Sequence, residues 1–117
     1  MHELAIALDV IQSAVKAIPD NLRKQPVEKV TLDIGKMAGV TADSLRFCFE
    51  IAARGTTLES AVLVINDIPV NVRCRACQSE WEMQEPEFLC GKCGSSDISM
   101  ETGRELFIRS IEVSDVS

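Results

Sequence analysis

Apolar residues recur along the first segment at Leu4, Leu8, Ile11, Val15 and Ile18, spacings of four and three that line one face of a helix. Pro19 and Asp20-Asn21 end that helix, and Pro26 closes the connection to the next element. Val30, Leu32 and Ile34 then alternate with Lys29, Thr31 and Asp33, the period of a strand with one wet face, stopped at Gly35. After Gly39 the period becomes helical again. Leu45, Cys48, Phe49 and Ala52 share a face, Thr41 or Asp43 can supply an N-cap oxygen, and Gly55 stands where a left-handed C-cap belongs. Residues 62–65 and 70–72 are short β-prone runs, the second leading into the first of two cysteine pairs.

Residues 73–100 break the pattern. They are polar, rich in Cys, Gly and Ser, and poor in branched aliphatics. Such a segment cannot bury enough apolar surface to stay folded unless something else holds it. Beyond it, Leu106-Phe107-Ile108 and Ile111-Glu112-Val113 are again β-prone, with apolar side chains on both parities. That strand is either covered on both faces or carries a bulge. The strand is read as returning to the first sheet, so the chain is expected to divide into residues 1–70, an inserted cysteine module of residues 71–101, and a returning strand within residues 102–117. The expected fold class is α/β in the α+β sense: a small sheet with two helices, plus an inserted zinc-ribbon-like module.

Composition narrows the chemistry. The 117 residues are 46% hydrophobic and 26% charged, the profile of an ordinary soluble globular protein. Eighteen acidic against twelve basic residues give a net charge of −6, the wrong sign for nucleic acid or anionic membrane as the main partner. No run of apolar residues is long enough to span a bilayer. The start Met1-His2-Glu3 puts an acid where a signal peptide carries basic residues, so a cytoplasmic location is expected. Five cysteines is an odd number, and four of them form two tight pairs. Without a secretory signal, that pattern favours bound metal over a disulfide framework.

Cys74-x2-Cys77 and Cys90-x2-Cys93 are two knuckles separated by twelve residues, with Gly91 and Gly94 to permit the turns of the second. Each knuckle offers two thiolates to one ion, and together they complete a tetrahedral S4 shell that suits zinc. The same spacing also serves an iron site of rubredoxin type. A full shell leaves no open coordination position, so the ion is read as structural. Between residues 71 and 100, Arg73, Arg75 and Lys92 face Glu80, Glu82, Glu85, Glu87 and Asp97, a balance unsuited to reading nucleic acid. Trp81 and Phe88 are expected instead to cover a small core beside the knuckles. Cys48, on an apolar helix face far in sequence from the only histidine, reads as a small buried hydrophobe.

That histidine is His2. At position two, its imidazole, its amide nitrogen and the Met1 α-amine can close fused chelate rings around one ion. Nitrogen donors in a plane suit Ni(II) or Cu(II). Glu3 can add an amide nitrogen or a carboxylate oxygen. Removal of the initiator methionine needs a small second residue, so Met1 and its amine are expected to persist before His2. Protons compete for the same nitrogens, so affinity should fall with pH.

The start Met1-His2-Glu3-Leu4 is one part of a wider pattern. It continues through Leu32-Asp33-Ile34-Gly35, Leu45-Arg46-Phe47-Cys48-Phe49-Glu50, Gly55-Thr56, the paired CxxC motifs and Ile108-Arg109-Ser110-Ile111-Glu112-Val113. Together these stretches resemble the HypA/HybF family, nickel metallochaperones of [NiFe]-hydrogenase maturation, over essentially the whole chain. The resemblance implies a binding protein rather than an enzyme, with His2 as the essential nickel ligand, the Met1 amine and Glu3 beside it, and Cys74, Cys77, Cys90 and Cys93 on zinc. It also implies a GTPase maturation partner, the hydrogenase large subunit as recipient, urease maturation proteins in some members, and room for a weak homodimer. Where some members carry histidines beside the cysteine pairs, Gln78 and Gly94 stand here, and no second histidine is available for nickel. The competing reading is a zinc-ribbon adaptor that acts only through protein–protein contacts. A nucleic-acid-binding ribbon ranks third and a redox or hydrolytic enzyme last, since the chain has no phosphate-binding Gly-Lys loop.

Overall fold

A computed structural model describes residues 2–114. Helix α1 spans Glu3–Ala17 and is followed by a 3-10 turn at Asp20–Leu22 and strand β1, Val27–Gly35. Helix α2 runs Ala42–Ala52 and β2 Val62–Ile68. Three short strands come next, β3 (Asn71–Cys74), β4 (Glu80–Glu82) and β5 (Ile98–Met100), before β6 closes the chain at Leu106–Val113.

Two sheets result, ordered β2-β1-β6 and β4-β3-β5. In the first, β2 lies parallel to β1 and β6 antiparallel to it, so Leu32 is flanked by Ile65 and Ile108. The inward side chains Val30, Leu32 and Ile34 pack with Leu45 and Phe49 of α2 and with Ala7, Val10, Ile11 and Ala14 of α1. The buried face of α1 keeps Ile11 and Ile18 of the expected stripe, with Val15 packed beside them, but not its two leucines. Leu4 and Leu8 are 50% and 46% exposed, while Ala7 and Ala14 are fully buried. The small Ala7 and Ala14 lie in the core that α1 shares with α2 and the sheet, while the two larger leucines stand outside it.

The mixed parity of β6 comes from a bulge. Thr31 pairs with Ser110 and Leu32 with Ile108, which leaves Arg109 as the extra residue. Its guanidinium reaches Asp33, whose Oδ2 accepts a hydrogen bond from Nε at 2.7 Å. Asn66 donates to Oδ1 of the same carboxylate at 3.1 Å. Asp33 does not stand on a wet face as the alternation suggested: it is 1% exposed, one group tying together all three strands of the sheet. The Arg109 hydrogen bond, more than that of Asn66, holds its carboxyl below the ordinary value of 3.8. A group whose pKa is depressed on folding stabilises the fold above its unfolded value and loses that contribution as pH falls through the folded one. Asp33→Asn is therefore expected to lower the thermal midpoint at pH 7 by several degrees, with the penalty shrinking below pH 3.8. Paired melting curves at pH 7 and pH 3 check this; a penalty that grows on acidification would contradict it.

β4 and β5 lie inside the polar stretch where periodicity gave no strand. Both pair antiparallel with β3 around Val70, Val72 and Met83. Trp81, Ile98 and Met100 pack against that cluster half-buried, as expected for Trp81. Phe88 does not join it and is 53% exposed, because it lies in the 83–90 loop that carries no strand partner. Thr41 stands at the N-cap of α2 but its hydroxyl makes no cap bond, and at the other end Ala53 rather than Gly55 ends the helix, its carbonyl accepting from the Thr56 hydroxyl at 2.6 Å. Gly55 nonetheless takes the left-handed conformation, with φ +78°.

The two sheets meet at glycines. Gly35, at the end of β1, donates its N–H to Glu105 O at 2.8 Å, and Met37 donates to Gly103 O at 2.8 Å. The backbone of Gly103, at φ +118°, is wedged between Gly35 and Val70. The Cα radius of gyration is 18.0 Å, against about 13 Å for a compact chain of this length. The molecule is elongated, with principal extents of 59 × 24 × 17 Å.

Candidate metal centres

The two cysteine knuckles are built to one plan. Cys74 and Cys90 each donate a backbone N–H to the carbonyl five residues on, Ser79 at 2.8 Å and Ser95 at 2.9 Å. Each also accepts from the amide four residues on, Gln78 and Gly94, both at 2.8 Å. Those two residues take the left-handed conformation, Gln78 at φ +67° and Gly94 at φ +74°. Of the two glycines singled out in the second knuckle, only Gly94 is used this way; Gly91 has no such constraint. In the first knuckle the position falls to Gln78, a residue with a β-carbon. Its side chain accepts from Arg73 Nε and donates to Arg75 O at 3.0 Å, which holds the turn.

The four Sγ atoms of Cys74, Cys77, Cys90 and Cys93 lie within 4.8 Å of one another. The Cys74–Cys93 and Cys77–Cys90 pairs are 3.6 Å apart. A zinc ion with four thiolates at about 2.3 Å requires sulfur–sulfur edges of about 3.8 Å, so the donor set and its spacing fit the ion. The thiols do not ionise alike on their own. The Ser79 hydroxyl and then its amide bring Cys77 down to about 6. Cys93 is pushed up to about 12, since the Ser95 amide lowers it but the Cys74 thiol, burial and the other two thiols outweigh that effect. A cation among them removes the mutual repulsion that keeps one protonated. The backbone N–H of Lys92 points at Cys90 Sγ, 3.4 Å away, a second support for a thiolate there.

At the other centre, His2 is exposed at the N-cap of α1 and its carbonyl accepts the first helical hydrogen bond, from Ile6 at 3.1 Å. The amides of His2 and Glu3 therefore precede the helix ladder. The Glu3 carboxylate reaches across the fold, and its Oε2 accepts from the Thr41 amide at 3.1 Å. That hydrogen bond is the main cause of a carboxyl held below the usual glutamate range. The chain brings His2 and Glu3 together at one helix start, as adjacency requires. Met1, the third expected nickel donor, lies outside the described residues. Cys48 is half-buried against the main core and remote from the other cysteines in the fold as in the sequence. An apolar groove of about 590 Å³ between α1 and β6 offers neither histidine nor cysteine. No helix among the described residues is long and apolar enough to cross a membrane.

The family model described as "Hydrogenase/urease nickel incorporation, metallochaperone, hypA" matches residues 1–113. A protein named hydrogenase maturation factor HypA from Desulfosudis oleivorans is 41% identical over 115 residues, 98% of this chain and 100% of the relative. Another of the same name from a Nostoc species is 40% identical over 116 residues, 99% of this chain and 98% of the relative. Among solved structures, the solution structure of the Ni metallochaperone HypA from Helicobacter pylori superposes with a TM-score of 0.65 at 21% identity, covering 97% of each chain. That likeness extends the shared architecture to both sheets.

Proposed function

The chain belongs to the HypA family, and on that premise we propose that it is a nickel metallochaperone of [NiFe]-hydrogenase maturation that carries Ni(II) at its amino terminus. The observation that supports this most is the exposed His2 at the very start of α1 in a chain of this family. The Met1 amine, the His2 amide nitrogen and the His2 imidazole form the chelate, with Glu3 beside them. An ion held there is open to solvent on one side and can be handed on, which a cargo site needs and a caged ion lacks.

The four cysteines have the complementary role. When bound, zinc supplies a closed tetrahedral crosslink between the two knuckles. Cys74, Cys77, Cys90 and Cys93 hold it, Ser79 and the Lys92 amide support the thiolates, and Gln78 and Gly94 set the turns. The chain then divides into a nickel-binding part, residues 1–70 with residues 102–117, and a zinc-binding part, residues 71–101. The proposed partners are a GTPase maturation factor, the hydrogenase large subunit as recipient and, for a family whose description includes urease, urease maturation proteins. The proposed location is cytoplasmic, and the proposed role is carriage without catalysis.

A nickel titration separates the carrier from a zinc-ribbon adaptor. Both His2→Ala and a chain extended by one residue before Met1 lose an arm of the chelate, and each is expected to weaken Ni(II) binding by about 100-fold or more. Zinc content should stay at one per chain in both. Undiminished nickel affinity in either variant would favour the adaptor.

A further inference from the structure

We infer that the Glu3 carboxylate is a positioning group: through the Thr41 amide it ties the nickel-binding terminus to the start of α2, rather than serving as a nickel ligand itself. The inference rests on the nickel reading above and says how the protein holds that terminus in place.

The contact joins residues 38 positions apart, so it is a tertiary restraint and not a local turn. Its donor is fixed by the scaffold. Lys36 donates to Ile68 O at 3.0 Å, Met37 to Gly103 O at 2.8 Å and Ala38 to Gly35 O at 3.0 Å, which pins the start of the 36–41 loop. At the far end, Leu45 donates to Thr41 O at 2.9 Å, and the Leu45 side chain is completely buried. Ala38 and Val40, between these anchors, pack half-buried against the main core. The Thr41 amide is thus a rigid donor presented at the N-terminus of α2, where a carboxylate is also favoured by the helix dipole.

Chain ends fray unless something ties them down. His2 is one residue from Glu3, so anchoring the Glu3 side chain restricts where the imidazole and the neighbouring amide nitrogens can stand. The ordering cost of wrapping three residues around an ion then falls, as in other preorganised sites. The Thr41 bond occupies Oε2 and draws the carboxylate toward the start of α2. A site supplied by the terminal nitrogens uses that arrangement as it stands, with Glu3 as its brace.

The test uses the zinc-loaded full chain with Glu3→Ala and Glu3→Gln, and Ni(II) alone as the probe. Glu3→Ala is expected to shift the Thr41 amide resonance in the nickel-free protein and to release nickel to a chelator about tenfold faster. Glu3→Gln keeps an oxygen that can accept from Thr41 and should recover most of the slow release. Thr41→Pro, which removes the donor and leaves Glu3 in place, should reproduce Glu3→Ala. All should keep the wild-type nickel absorption band. A band displaced equally in Glu3→Ala and Glu3→Gln would make the carboxylate a ligand and overturn the inference. So would an unmoved Thr41 resonance and release rate in Glu3→Ala. If the wild-type chain takes up no nickel, the carrier reading fails, while the Thr41 resonance still decides whether the brace exists.

Discussion

Cys90→Ser is expected to strip the zinc and to disorder residues 71–101, while the first sheet and both helices remain folded. The second sheet has little else to stand on. Its strands are three or four residues long, and its buried apolar side chains are Val70, Val72 and Met83. A core that small falls short of the entropy of ordering some thirty residues. Structural zinc in comparably small modules contributes on the order of 10 kcal/mol of folding free energy. The first sheet, by contrast, is covered by two helices and has a continuous core from Ala7 to Leu63. Metal analysis combined with amide resonance dispersion checks both halves of the expectation. Cys48→Ser is the control and should retain full zinc. A metal-free Cys90→Ser protein with the second sheet intact would refute the structural role of the ion.

Gly35→Ala is expected to be the most damaging of the small substitutions. A β-carbon there would meet the carbonyl carbon and oxygen of Gly103 at 2.0 Å and the Arg104 nitrogen at 2.5 Å. These are backbone atoms, and the Gly35–Glu105 and Met37–Gly103 hydrogen bonds hold them in place. No side-chain rotation relieves the clash, so the two sheets must separate or the end of β1 must unravel. The cost should exceed about 4 kcal/mol, at the extreme of single substitutions. Gly91→Ala is the matched control: nothing lies within 4 Å of its added carbon, and the variant should melt like the wild type. Denaturant unfolding of the two side by side checks this. Near-equal midpoints would mean that the junction is looser than its contacts imply.

The distance between sequence and structure differs from element to element. The β1 strand and the existence of both helices follow from periodicity, because the main core imposes an inward face on each, and the β-prone run at the end of the chain does return to the first sheet as β6. The paired CxxC spacing foretold four sulfurs in one place, since a knuckle is a local structure that two cysteines and a turn define almost completely. What periodicity could not supply was contact between elements. Asp33 reads as a wet-face residue until the β6 bulge brings Arg109 over it. Thr41 reads as an N-cap in its own right until Glu3 arrives from 38 residues away. The buried side of α1 takes in Ala7, Val10 and Ala14 beside Ile11 and Ile18 and leaves Leu4 and Leu8 out, a rotation that only the packed neighbours decide. β4 and β5 are too short, and too dependent on the knuckles, to leave a period of their own. One signal does lie in the sequence: the residue after the second cysteine of each pair occupies the same left-handed position, which makes Gln78 and Gly94 counterparts.

We propose that Ni(II) sits on nitrogen donors at the amino terminus. The visible absorption spectrum of the zinc-loaded chain with one equivalent of Ni(II), recorded beside His2→Ala, tests it most directly. The wild type is expected to show the single d–d band of a planar, nitrogen-rich site, and His2→Ala no such band. The weak multiple bands of octahedral nickel, identical in the two proteins, would contradict it.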